Sequence, residues 1–210
     1  MKKLGVFLII IALVHLQTPG YAQFEKVIKE SFRVNPFEGS FSAFLKTLTT
    51  DPELFDKTVE LKTDSTRYFV KGSYKKFNPL RIKTNKVDIS FAENIMDKKY
   101  EGIQMLYTSY TYQIVAYLDD TEGNRILLAK EVERLKKRLD GYFVKSENVS
   151  TGQGIIVNYY YSNNYVTINN SVVHPVSLIW QFLPDTKEMA LIIQSRLVVV
   201  DNYARLAGLF

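Results

Sequence analysis

The stretch Gln104–Leu118, QMLYTSYTYQIVAYL, decides how this chain is read. Successive side chains of a strand point to opposite faces, so Tyr110, Tyr112, Ile114, Ala116 and Leu118 line one face and the residues between them line the other. Aromatic and β-branched residues suit that pleated surface, and the segment predicts one long strand. The same period of two extends toward the N-terminus. Lys86–Ala92, with Val87, Ile89 and Phe91 on one face, and Arg67–Ser73 read as strands, and the change of period begins near Val59.

On the C-terminal side, Asp119–Asn124 predicts a turn. Leu128, Val132, Leu135 and Leu139 then recur at helical spacing with charges between them, which predicts an amphipathic helix that Gly141 can end. The start of that helix is open, because Arg125–Lys130 can equally return as a strand. In the last third, Gly154–Tyr161 and Tyr165–Asn169 flank Ser162-Asn163-Asn164 as a hairpin, and Pro175–Leu183 and Glu188–Asp201 flank Pro184–Lys187 as a longer one. Leu178, Trp180 and Phe182 alternate on one strand of the second hairpin; Met189, Leu191, Ile193, Leu197 and Val199 alternate on the other.

Ahead of the strands lie helical signals. A short helix is expected around Phe24–Phe32. Ser40 can cap a helix in which Phe41, Phe44, Leu45 and Leu48 form one stripe, and Asp51-Pro52-Glu53 reads as the start of a second short helix burying Leu54 and Phe55. The expectation is an α+β fold: N-terminal helices packed on a curved, mostly antiparallel sheet, with one amphipathic helix inserted.

The first 22 residues read as a secretory signal peptide. Lys2 and Lys3 precede the apolar run Leu4–Leu16, Pro19 and Gly20 break it, and Gly20 and Ala22 place small residues at a cleavage site. The run is shorter than the roughly 20 apolar residues that span a bilayer, and no later segment is apolar enough to span as a helix. The expected organisation is a signal peptide over 1–22 and a single domain over 23–210, periplasmic or secreted. Loss of the signal leaves 25 basic against 22 acidic residues, a net charge of +3. Such a mild balance argues against a nucleic-acid partner.

The chain has 210 residues, 46% of them hydrophobic, with no cysteine and two histidines. Cysteine-ligated metal centres and thiol chemistry are therefore excluded. His15 leaves with the signal, so His174 is the one histidine of the mature chain, too few for the usual zinc or copper shell. No Gly-x-Ser-x-Gly elbow and no phosphate loop occurs. The acids Asp119, Asp120 and Glu122 are out of register with a calcium loop, and no spacing selects a carboxylate pair for glycoside hydrolysis. Neither a metal nor a cofactor is expected, and the expected function is a non-catalytic binding or interaction module, with an enzyme or a structural component of an envelope complex as the alternatives.

Tyrosine carries the functional signal. Tyr107, Tyr110, Tyr112 and Tyr117 cluster on one strand, and Tyr159, Tyr160, Tyr161 and Tyr165 surround the Asn-rich hairpin. An apolar ring with a hydroxyl suits a pocket wall or an interface. The candidate ligand-binding residues are Tyr110, Tyr112, Tyr160, Tyr165 and Trp180, for a small ligand, a glycan or an envelope protein. The basic set Lys75, Lys76, Arg81, Lys83 and Lys86 reads as a solvated loop, and Arg134–Arg138 as a solvated helix face.

Phe41-Ser-Ala-Phe44-Leu45 leading into Thr50-Asp51-Pro52, together with the Trp180-Gln-Phe182 hairpin, resembles the NTF2-like (cystatin-like) secreted proteins of Bacteroidota. The resemblance covers about half of the mature chain. It implies a cone-shaped sheet with a pocket at its mouth, often in a homodimer, used by some members for carboxylate and tyrosine acid–base catalysis and by many for binding alone. Asp64-Ser65-Thr66 is similar to the acceptor motif of O-glycosylation in the same phylum, which implies Ser65 as the acceptor.

Overall fold

The computed structural model describes residues 26–35, 41–61, 66–100, 103–141, 145–151, 154–160, 167–168, 171–172 and 175–200. Ten strands and two longer helices fall in that range: α1 (Phe41–Thr50), β1 (Leu54–Leu61), β2 (Thr66–Tyr74), β3 (Lys86–Tyr100), β4 (Ile103–Asp119), α2 (Glu122–Asp140), β5 (Lys145–Thr151), β6 (Gly154–Tyr160), β7 (Thr167–Ile168), β8 (Ser171–Val172), β9 (Val176–Leu183) and β10 (Glu188–Val200). Residues 26–31 add a helical turn and a half.

Eight strands form one antiparallel sheet in the order β1-β2-β3-β4-β10-β9-β6-β5, and β7 and β8 make a separate two-residue ladder. β3 pairs with β4 from Lys86↔Tyr117 to Tyr100↔Ile103, and β10 pairs with β4 from Glu188↔Asp119 to Val200↔Tyr107. These are the longest ladders, and they form the middle of the sheet.

This corrects the expected fold class. The body of the molecule is the antiparallel sheet itself. Among the described residues the helices are few, and only α2 exceeds ten residues, so an assembly of N-terminal helices on a cone-like sheet does not describe them. The second short helix is also absent. Asp51 caps a turn instead, its carboxylate accepting the Glu53 N–H at 2.9 Å, and Leu54 then enters β1 opposite Tyr74. Asp-Pro-Glu serves a turn as well as a helix start, and the neighbouring strand β2 decides between them. Similarly, Gly154–Tyr160 pairs with β5 and β9 rather than with Tyr165–Asn169. β5, with the polar sequence KSENVST, has no apolar alternation to announce it.

The helices form for local reasons. Thr121 caps α2 by accepting the Asn124 N–H at 3.2 Å, Glu122 sits in the first turn, and Lys137 and Arg138 sit in the last, each complementing the helix dipole. The start is therefore helical, and Arg125–Lys130 does not return as a strand. α1 has no basic residue in its last turn. Lys57 of β1 reaches back instead, its ammonium donating to the carbonyls of Thr49 at 2.7 Å and Asp51 at 3.0 Å.

One face of the sheet is buried. Cross-strand neighbours share a face, and the row Val70, Phe91, Tyr112, Ser195, Val176 and Tyr159 runs through the core with every member buried. Val27, Ile28 and Phe32 from the first turn, Phe44 and Leu48 from α1, and Leu128, Leu135 and Leu139 from α2 complete it. The opposite face carries partly exposed side chains from β2 to β6.

Candidate functional site

Tyr112 is fully buried. Its ring is stacked on Phe32 and meets Phe44 and Phe91 edge-on. Its hydroxyl lies close to that of Tyr74 without the geometry of a hydrogen bond. Burial pushes the ionisation of both phenols up, so both stay neutral. Tyr110 stacks on Phe91 at 6.1 Å between centroids and packs against the same core, as does Trp180. Tyr110, Tyr112 and Trp180 thus share the helix-covered face. Tyr160 ends β6, where its backbone pairs with Lys145; its side chain, and Tyr165, Ser65 and His174 altogether, lie outside the described residues. Of the basic set, Arg81 uses its backbone N–H to bond Glu131 of α2 at 2.9 Å, and all five side chains are exposed.

A more open arrangement occupies the other face. A cleft of about 380 Å³ lies over β2, β3 and β4, walled by Asp56 of β1. Its polar centre is Asp88. One carboxylate oxygen accepts the Ser73 hydroxyl at 2.5 Å, and the other pairs with the Lys86 ammonium at 2.9 Å. The sheet register builds this group: Ser73 is opposite Asp88, and Lys86 is opposite Tyr117. The Lys86 nitrogen also stands 5.9 Å from the Tyr117 ring centroid, within cation–π range. Phe69 and Val115 supply the apolar part of the lining.

The cleft exists because β1 does not run straight. Its pairing with β2 shifts between Phe55 and Thr58, and Asp56 there takes a left-handed φ of 50°. Gly72 lets β1 approach: a Cβ at that position would stand 2.9 Å from a methyl of Leu54 and 3.1 Å from the Phe55 carbonyl. The bulge therefore turns Asp56 over the strands beside it.

Electrostatics set the protonation states. The hydrogen bond to Asp88 raises the Lys86 ammonium, which keeps its proton. Partial burial, then the Asp88 charge, raise the Tyr117 phenol, so its hydroxyl is a donor at neutral pH rather than a base. The cleft offers a charged donor, a phenolic donor, a serine oxygen and a carboxylate, all around an apolar floor. Among the described residues no group of His, Cys, Asp and Glu could hold a metal ion.

Sequence parity contained a usable signal for this site. Val87, Ile89 and Phe91 face the core, so Lys86, Asp88 and Ser90 must face away, and Tyr117 is out of phase with Tyr110 and Tyr112.

The fold and site define an antiparallel sheet protein with a polar cleft on the face opposite its core. Comparison with protein-family models, with curated proteins and with solved structures found no match. No helix among the described residues is long and apolar enough to cross a membrane.

Proposed function

We propose that the protein is an exported, non-catalytic binding module whose cleft at Asp88 takes a small polyhydroxylated molecule. The observation that carries this reading is Asp88 held between Ser73 and Lys86 beside the Tyr117 ring. An aromatic face next to fixed donors and acceptors suits a sugar ring, which presents C–H groups on its faces and hydroxyls on its edge. Acid–base catalysis has less support, because the raised Tyr117 and Lys86 values leave neither group as a base at neutral pH. The reading is centred on Tyr117 rather than on Tyr110 and Tyr112, which pack into the core. Export rests on the signal pattern in residues 1–22.

Calorimetric titration of the mature protein with a panel of monosaccharides and disaccharides tests the proposal. At least one member should bind, and Asp88→Asn and Tyr117→Ala should each weaken it tenfold or more while the Tm moves by only a few degrees. Binding that both substitutions leave intact, or no binding by any member, overturns it. N-terminal sequencing of protein purified from a bacterial periplasm should begin at Gln23.

A further inference from the structure

The face opposite the core is organised in lanes that cross the strands. In one lane Ser90, Gln113, Gln194, Ser177 and Asn158 lie opposite one another in successive strands, from β3 through β4, β10 and β9 to β6. Their side chains bond in two groups: Ser90 donates to the Gln113 carbonyl at 3.3 Å and Gln113 to the Gln194 carbonyl at 2.6 Å, while the buried Ser177 donates to Asn158 at 2.8 Å. The adjacent lane starts at Asp88 in the cleft and continues through Val115, Ile192, Ile179 and Ile156, all four partly exposed.

We infer that these two lanes extend the cleft into a track for a neutral, unbranched, ribbon-like polysaccharide lying across the strands; the inference rests on the cleft's binding a sugar unit. Three features select this occupant. The rungs recur at the strand spacing of about 4.8 Å, comparable to the advance of one pyranose unit along an extended chain. A primary amide has two N–H donors and two acceptor positions, and the mutual bonds leave Gln113, Gln194 and Asn158 with further capacity while fixing their rotamers, which lowers the entropy lost on binding. A ribbon of pyranose rings has apolar C–H faces to lie on the aliphatic lane and hydroxyl edges to meet the amides.

Charge narrows the choice further. From Ser90 to Asn158 the polar lane holds no ionisable side chain; Lys71 opposite Ser90 at the cleft end and Arg196 in the lane beside Gln194 are single cations, short of the run of positive charge that a polyanion needs. A protein partner is a poorer fit, since interface centres favour aromatic and Arg anchors, and neither occurs along the amide lane. A lipid surface would leave the remaining donors and acceptors of the amides buried without partners.

The test titrates the mature protein with β-1,4-linked gluco-oligosaccharides of two to six units, with the α-1,4-linked series as a coiled control and polygalacturonate as a charged one. Affinity should rise at least tenfold from two to five units in the β-1,4 series and stay level in the α-1,4 series. Gln194→Leu and Ile179→Glu, both outside the cleft, should each flatten that rise, with far-UV circular dichroism checking that each variant is folded. A disaccharide that binds through Asp88 with no gain from length overturns the track and leaves the cleft reading standing. Failure of every oligosaccharide overturns the track and leaves the cleft reading to the monosaccharide and disaccharide panel, and tighter, salt-sensitive binding of polygalacturonate overturns the neutral track.

Discussion

Phe32 lies on Tyr112 with ring centroids 4.2 Å apart and planes 28° from parallel, so the residue that follows the first helical turn is stacked on the middle of the sheet, in the core that Val27 and Ile28 also enter. Tyr112 is 0% exposed and Phe32 5%. Removing a buried aromatic ring loses its transfer free energy and leaves a cavity, so Tyr112→Ala should cost about 3–5 kcal/mol in urea denaturation. Tyr112→Phe should cost less than about 1 kcal/mol, because the hydroxyl it removes has no hydrogen-bond partner. Equal losses for the two variants would contradict this packing.

The same phenols make the protein sensitive to alkali. Burial raises Tyr74 and Tyr112 in the folded state. A raised folded value contributes stability that is complete below the unfolded value of about 10 and is lost as pH rises toward the folded value. Chemical denaturation between pH 9 and 11.5 should therefore show a falling limb, and Tyr74→Phe combined with Tyr112→Phe should make it shallower.

At the acid end the sign reverses. Burial pushes the Asp51 carboxyl up, but the bond from Arg33 at 2.7 Å and the Glu53 N–H outweigh it, and the net value is lowered. Glu131 is lowered in the same way, with Arg134 and the Arg81 N–H acting against burial. The stability these carboxylates contribute is present above their unfolded values of about 4 and is lost as pH falls through the folded values. Asp51→Ala should cost roughly 1–3 kcal/mol at pH 7, and the difference from wild type should shrink by pH 2.

In the cleft, Tyr117 reports on its neighbours. Burial is the first cause of its raised value and the Asp88 charge the second, with Lys86 acting in the opposite direction. Asp88→Asn should lower the Tyr117 ionisation toward the ordinary phenol value, and Lys86→Met should raise it, as read by NMR titration of ring-labelled tyrosine. Shifts of the opposite sign would mean that the three groups do not share one site.

Gly154 begins β6 where a Cβ would stand 1.9 Å from the Trp180 carbonyl oxygen and 2.8 Å from the Gln181 Cα. No rotamer relieves a clash between backbones, so Gly154→Ala must separate β6 from β9. A loss of about 1–3 kcal/mol is expected from such overpacking, seen as a lower Tm with the far-UV spectrum retained.

The chain's local chemistry determined most of its elements. Alternation of apolar and polar residues marks Arg67–Ser73 within β2, Lys86–Ala92 within β3, Gln104–Leu118 within β4, and the β9–β10 hairpin. The stripes Phe44/Leu48 and Leu128/Leu135/Leu139 mark the two helices. These patterns are legible because one strand or helix face meets the core and the other meets water, whatever the partner is. Only tertiary structure decided that Leu54 enters a strand rather than a helix, that β3 continues past Ala92 to Tyr100, and that polar β5 joins the sheet edge. Each of these depends on hydrogen bonds to a neighbour distant in sequence, which leave no periodic trace in the segment itself. The site follows the same division. Parity alone places Asp88 and Tyr117 on the face away from the core, whereas their meeting with Ser73, and the lane from Ser90 to Asn158, arise from cross-strand register set by long-range pairing.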